Sequence, residues 1–534
     1  MKPSFHLYLM SFTLVKWQVF GWHDQDIREV ESVLSKVLQC RLNFPGMAVS
    51  VVKDGRILMA KGYGYLDTSK RSPVTNRTLF QISSLTKAFA GTLLLKQLKE
   101  NTNFSIYSKL TEILGNNFKF SKDLWTQEAD LKDLMSMNLA IPGHNGMRLH
   151  TSVTRKNLPS RMQYLEPIYG FRTKFLYGNL NYGLVTHMSE NIAGKRWENL
   201  IQKEIFDPLG MSSSTFFTSD KLEAEKDIAT GYDRGHDRIV AVPREFSRIF
   251  TTLCGSNCIL SNVIDMAKWM MVHLRRGKNE HGKQIIDSDI VDLTHHPWTL
   301  IKVSKLSWLF TQPDVPVSTT ESSYGLGWKN GHYRGHRIYH HSGSSYGYSA
   351  FITLFPDQDM GIFVAMNGRD DYYMIRTLLI NYLSDVFLGV QPWLNESTIC
   401  TFPHPFHNKV PKSETITIDR SLESTRPLPE YEGAYYLDAY GKLSVTYNVT
   451  SRRLNIEFGI GRWTLYPASI PYKFHGLAEG IMHEFWDLEN IQFQSSCKKC
   501  PISSVAIERF EKKHPPVFKR VLINGMSACP EYRK

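Results

Sequence analysis

From residue 24 to residue 40, the apolar residues Ile27, Val30, Val33, Leu34, Val37 and Leu38 fall three or four positions apart, which gathers them on one face of a helix. The period then shortens. Residues 46–52 and 57–65 are β-rich runs flanking Lys53-Asp54-Gly55-Arg56, and Asp-Gly between such runs predicts a hairpin. Residues 84–98 return to helical spacing, with Phe89, Leu93, Leu94 and Leu98 on the side to be buried. Residues 180–211 read as largely helical until Pro208 and Gly210 stop them, and another helix is centred on 266–274. Strands are predicted at 337–341, 349–355 and 361–366, followed by a helix over 371–387.

Residues 391–427 are rich in Pro, Ser and Thr without periodicity, and read as a linker. Beyond it, short alternating runs between 431 and 510 predict an antiparallel β-domain. The predicted order is therefore a segment at 1–22, a large unit at 26–390, the linker, a β-domain at 428–511 and a tail at 512–534. No internal repeat is visible.

Composition narrows the class. With 42% hydrophobic and 21% charged residues in 534, the chain is of the globular type, and collagen-like, disordered and coiled-coil readings are excluded. A net charge of +12 raises nucleic acid or acidic membranes as partners. The basic pairs Arg275-Arg276, Arg452-Arg453, Lys498-Lys499 and Lys512-Lys513 are scattered among acids, so we read a solvated basic surface and expect no nucleic acid.

Lys2 followed by the apolar run 5–15 has the layout and length of a signal peptide, so residues 1–22 are expected to direct secretion. The other reading is an amphipathic extension packed on the fold. Sequons at Asn76, Asn103, Asn395 and Asn448 agree with secretion without deciding it. No later segment offers the roughly 18 uninterrupted apolar residues of a membrane span. Seven cysteines are too few for a disulfide scaffold, and an odd count leaves at least one unpaired. Cys497-x-x-Cys500 lacks the second half of a zinc site, which leaves a local disulfide or two free thiols.

The chemistry concentrates in three motifs. Ser84-Leu85-Thr86-Lys87 opens a predicted helix, where three residues make nearly one turn and place the hydroxyl and the amine on one face. The helix N-terminus adds free N–H groups and a positive dipole end that favour a developing oxyanion. Ser495-x-x-Lys498 and Ser496-x-x-Lys499 match the same pattern, but no amphipathic helix follows them. Tyr177-Gly178-Asn179 stands on a tight turn before a helix, and His341-Ser342-Gly343-Ser344 on a strand whose glycine would let substrate backbone approach closely.

In this order and spacing the motifs resemble those of the serine β-lactamase and penicillin-binding-protein superfamily, in particular its class C β-lactamase, D-alanyl-D-alanine carboxypeptidase and esterase branch. Flanking text adds to the likeness: Phe80-Gln81-Ile82-Ser83, Asn181-Tyr182-Gly183-Leu184 and Asp207-Pro208-Leu209-Gly210-Met211. It covers about residues 26 to 390. The run Leu134-Met135-Ser136-Met137 is similar to animal members, some of them extracellular or shell-matrix proteins.

The resemblance implies an α/β (α+β) transpeptidase-like fold, an antiparallel sheet flanked by helices with a helical lobe, plus the small C-terminal β-domain. It implies Ser84 as the acylated nucleophile and Lys87 as its base. Tyr177 would pass a proton to the leaving group, Asn179 would hold Lys87 and the substrate amide, and the N–H groups of Ser84 and Ser344 would form the oxyanion hole. For Lys87 to accept a proton near neutral pH, burial or a neighbouring positive charge must lower its pKa. His341 stands where β-lactamases and carboxypeptidases carry lysine; mostly neutral at pH 7, it would bind a carboxylate weakly. That favours an ester or a peptide over β-lactams and muropeptides. No cofactor is implied.

Two other readings remain open. Gly343-Ser344-Ser345-Tyr346-Gly347 matches the nucleophile elbow of α/β-hydrolases, which requires a helix after Ser345. A secreted binding or matrix protein with weak or no catalysis is the second; the five intact motif residues Ser84, Lys87, Tyr177, Asn179 and His341 argue against it. The pairs His295-His296, His340-His341 and His404-x-x-His407 lack the helical layout of a zinc site, and no metal is expected.

Overall fold

The structure, a computed structural model, describes residues 24–521 apart from 42, 70, 221, 223–224, 226, 305 and 409–417. The expected signal segment 1–22 and Cys529 lie outside the described residues.

Among the described residues, nine strands form one antiparallel sheet. At its centre lie Gly46–Lys53, Met360–Met366 and Tyr348–Phe355, each buried along nearly its whole length. Helices cover both faces, which is why these strands read as continuous apolar runs rather than alternating ones. One face, with Val49, Val51, Ile362 and Val364, packs against the helices Asp24–Cys40 and Met374–Leu388. The other, with Ala48, Val52, Phe363 and Ala365, packs against the helix Val263–Leu274 and the lobe built on Thr86–Asn101 and Asn179–Ala193. The opening hairpin turns at Asp54 (φ 49°) and Gly55 (φ 70°), the left-handed pair that Asp-Gly favours.

The expected helix over 84–98 begins instead as a 3-10 turn, Ser83–Leu85, and becomes α-helical over Thr86–Asn101. The stretch 180–211 is broken into Asn179–Ala193, Trp197–Ile201, a π-turn and Asp207–Leu209. Within 391–427, read from sequence as linker, Glu396–Thr401 is helical and is tied by a Cys40–Cys400 disulfide to the first helix. Cys254–Cys258 and Cys497–Cys500 are also bonded.

The C-terminal β-domain is a closed barrel of eight described strands, from Gly433–Leu437 to Val517–Arg520. Its last strand pairs with both Ile502–Ile507 and the first, so the barrel extends past residue 511 into the stretch read as tail. Alternation along Gly441–Asn448 and Gly461–Pro467 sends Leu443, Val445, Trp463 and Leu465 inward. The barrel docks on the helical lobe. Trp486 stacks on Tyr346 at 4.5 Å, Phe485 meets Phe246, and the Tyr440 hydroxyl lies 2.9 Å from His144 Nδ1. Ile460 N–H donates to the Leu149 carbonyl and the His144 N–H to Glu511. The seat of the barrel is thus the loop 144–150 together with Phe246 and the Tyr346 turn of the sheet.

Candidate active site

Ser84 lies at the foot of the helix Thr86–Asn101, held by a strained neighbour: Ser83 has φ 51°, left-handed backbone that costs a non-glycine residue about 1 kcal/mol or more. The strain is fixed from both sides. Ile82 N–H donates to the Ile259 carbonyl, and Gly343 presses on the Ile82 carbonyl so closely that a Cβ there would stand 2.2 Å from its oxygen. The glycine of the third motif therefore brings its strand against the backbone before Ser84. The sequence had pointed to room for substrate.

Lys87 is fully buried, and its Nζ has three oxygen neighbours: Asn179 Oδ1 at 2.8 Å, the Ser256 carbonyl at 3.0 Å and Ser84 Oγ at 3.1 Å. Burial, then the charge of Arg148, holds its pKa well below the ordinary lysine value. A neutral amine has two N–H bonds and one lone pair. The Asn179 and Ser256 oxygens can only accept, so they take both hydrogens and leave the lone pair for the Ser84 hydroxyl. The Tyr177 ring centroid lies 4.8 Å from Nζ; burial pushes its phenol upward, with Ser84 the main opposing influence. Asn179 opens the helix Asn179–Ala193, and its Nδ2 donates to Asn145 Oδ1, which also accepts from Arg148.

His341 lies on the strand His336–Ser345 with its ring between Tyr177 and Tyr324. Its Nδ1 is 2.8 Å from the Ser342 carbonyl, an obligate acceptor, so the proton sits on Nδ1 and Nε2 accepts from the Tyr324 hydroxyl at 3.1 Å. Burial, Lys329 and Lys87 lower its pKa well below 6.5. The imidazole is neutral, with both nitrogens engaged inside the protein. Ser344, three residues on, is exposed and lines a cavity of about 380 Å³ with Ser84 and Asn179.

The structure thus brings together Ser84, Lys87, Tyr177, Asn179 and Ser344, and places His341 behind Tyr177. Ser345 also lines the cavity, but it ends its strand and turns through Gly347 into Tyr348–Phe355; no helix follows, so the elbow setting is not met. Sequence reasoning missed the Ser256 carbonyl, set in the turn between Cys254 and Cys258. It missed Arg376, a buried guanidinium that pairs with Asp370 and donates to the Gly343 and Ala350 carbonyls, fixing the third-motif strand. It also missed Asn145, Arg148 and, from the barrel, Arg509.

The profile of the Beta-lactamase family matches residues 34–380. Gigasin-6 of Magallana gigas is 33% identical over 262 residues, 48% of this chain and 86% of that protein. Unguisins hydrolase ungD of Aspergillus violaceofuscus is 25% identical over 435 residues, 77% of this chain and 75% of that protein. Among solved structures, the octameric penicillin-binding protein homologue from Pyrococcus abyssi superposes with a TM-score of 0.56 at 20% identity, over 92% of this chain and 100% of that one, a likeness of fold.

Proposed function

Because the chain belongs to the Beta-lactamase family, whose chemistry is of the serine-hydrolase type, we propose that it hydrolyses an ester or amide through an acyl intermediate on Ser84. The observation that carries this is the Lys87 amine: buried, its hydrogens committed to Asn179 and Ser256, its lone pair left to the Ser84 hydroxyl. As Ser84 Oγ attacks the carbonyl carbon, its proton passes to Lys87 Nζ. The oxyanion is taken up by the N–H groups of Ser84 and Ser344. Tyr177 relays the proton from Lys87 to the leaving group, and water then releases the acyl group. His341 acts as a neutral brace beneath Tyr177 and Tyr324. The match to a hydrolase over three quarters of the chain supports this reading over a binding or matrix protein without catalysis. Three disulfides among the described residues support a secreted setting.

The test is intact-mass measurement after exposure to a panel of esters, peptides and β-lactams. An acyl adduct is expected on the wild type and not on Ser84→Ala. Wild-type hydrolysis by a folded Ser84→Ala protein overturns the proposal, and labelling lost only in Ser345→Ala would move the nucleophile.

A further inference from the structure

The hydrogen bonds that orient Lys87 continue outward and end on the barrel. Arg148 Nη2 donates to Asn145 Oδ1 at 3.0 Å. A guanidinium has donors only, so the Asn145 atom that faces it must be the amide oxygen. The same oxygen lies 2.8 Å from Asn179 Nδ2, which must then be the NH2 group. Asn179 is left with its oxygen toward Lys87 Nζ, at 2.8 Å. Each amide has its orientation set by the group before it. Were Asn179 turned over, its NH2 group would face the amine and draw the lone pair away from the Ser84 hydroxyl.

Asn145 and Arg148 belong to a single 3-10 turn, Asn145–Leu149, entered through His144 in left-handed backbone (φ 43°). The barrel holds that turn. Glu511 Oε2 accepts the His144 N–H at 2.9 Å, while Oε1 accepts the Lys513 N–H at 2.9 Å and so fixes the carboxylate on its own side. Gly146 lies against Phe510 so closely that a Cβ there would stand 2.5 Å from the ring side chain. The Tyr440 hydroxyl is 2.9 Å from His144 Nδ1. On the far side, the Phe250 ring lies 3.8 Å from the Arg148 guanidinium, and Trp486 of the barrel packs on Phe250 at 5.2 Å. Between Glu511 and Lys87 stand the His144-Asn145 segment and Asn179.

We propose that the C-terminal barrel is a working part of the active site: Glu511 holds the loop 144–148 so that Asn145 keeps the Asn179 oxygen on Lys87. Asn145 and Glu511 are then positioning residues, acting through Asn179 on the base. The proposal rests on the Ser84 reading for the reaction that Lys87 serves. Glu511 stands outside the set of residues that line the cavity, so its effect travels through the protein and not through contact with substrate.

The test uses the full chain with 4-nitrophenyl butyrate, subtracting the rate of Ser84→Ala. Asn145→Ala should lower kcat by roughly 10- to 100-fold and change KM by less than about threefold. Glu511→Ala should lower kcat by about 3- to 10-fold, again with little change in KM. Glu511→Gln keeps an oxygen for the His144 N–H and should recover most of that loss. Deuterium exchange over residues 144–150 reads the same link without turnover: faster in Glu511→Ala, restored in Glu511→Gln. The double variant Asn145→Ala/Glu511→Ala should be no slower than Asn145→Ala alone, because both changes act through one amide. Losses that multiply would mean independent effects and overturn the proposal. So would a Glu511→Ala kcat equal to the wild type, a loss confined to KM, or unchanged exchange in the loop. If Glu511→Ala does not fold, Tyr440→Phe takes its place in the cycle, since it removes one bond to His144 and keeps the ring. A wild type no faster than folded Ser84→Ala removes the Ser84 reading and the catalytic role of the barrel with it. An active, Ser84-dependent enzyme indifferent to Glu511 removes this proposal alone.

Discussion

The chain contains the Ser-x-x-Lys pattern in two regions, and they have nothing in common beyond the letters. At Ser84 the motif bridges a 3-10 turn and a buried helix, so the amine is stripped of water and ringed by fixed acceptors. At Ser495 it leaves a strand for the Cys497–Cys500 turn: the serine hydroxyl is spent on the Cys497 and Cys500 carbonyls, and Lys498 is exposed. Spacing lets a lysine reach a serine. Burial and the occupation of its hydrogens are what would fit the lysine to act as the base proposed above.

The contrast should break most sharply at the proposed nucleophile. Ser84→Ala should lower hydrolysis on the order of 10⁴-fold or more, measured as kcat with the best substrate of the panel. Lys87→Arg comes next. Arginine keeps the charge and cannot give up its proton, so kcat should fall by roughly 10²- to 10⁴-fold while the protein still folds.

A smaller effect appears in the pH profile. In the proposed mechanism Lys87 works as the free amine, so activity should be present above its depressed pKa and lost as pH falls through it. Arg148 is one of the two causes of that depression, after burial. Arg148→Gln should therefore raise the Lys87 pKa and move the acid limb of kcat/KM to higher pH. A limb that stays in place would assign the depression to burial alone. The smallest effect is at the second motif: Ser495→Ala should leave kcat/KM unchanged and cost about 1 kcal/mol of barrel stability, read from denaturant melts.

Much of this was legible because it is local. A serine and a lysine three apart, a tyrosine and an asparagine two apart, and apolar runs on central strands each declare themselves within one window. The rest of the site is assembled over long distances from residues with no pattern. The Ser256 contribution is a backbone carbonyl, which any residue type would supply. Arg148 stands in an aperiodic loop, and only the fold shows that it lines the cavity beside Ser84. Arg376 is 33 residues from Gly343, whose carbonyl it holds. The helix Glu396–Thr401 has six residues, too few for periodicity to mark it off from a linker.

The Cys40–Cys400 bond joins residues 360 apart and closes the Ser84, Tyr177 and His341 motifs inside one covalent ring. A protease that nicks any loop between those cysteines leaves two pieces that still travel as one molecule on a non-reducing gel. They separate only when reductant is added. In a protease-rich extracellular setting, such a molecule would tolerate a cut without shedding part of its site, and its integrity would depend on the redox state of its surroundings.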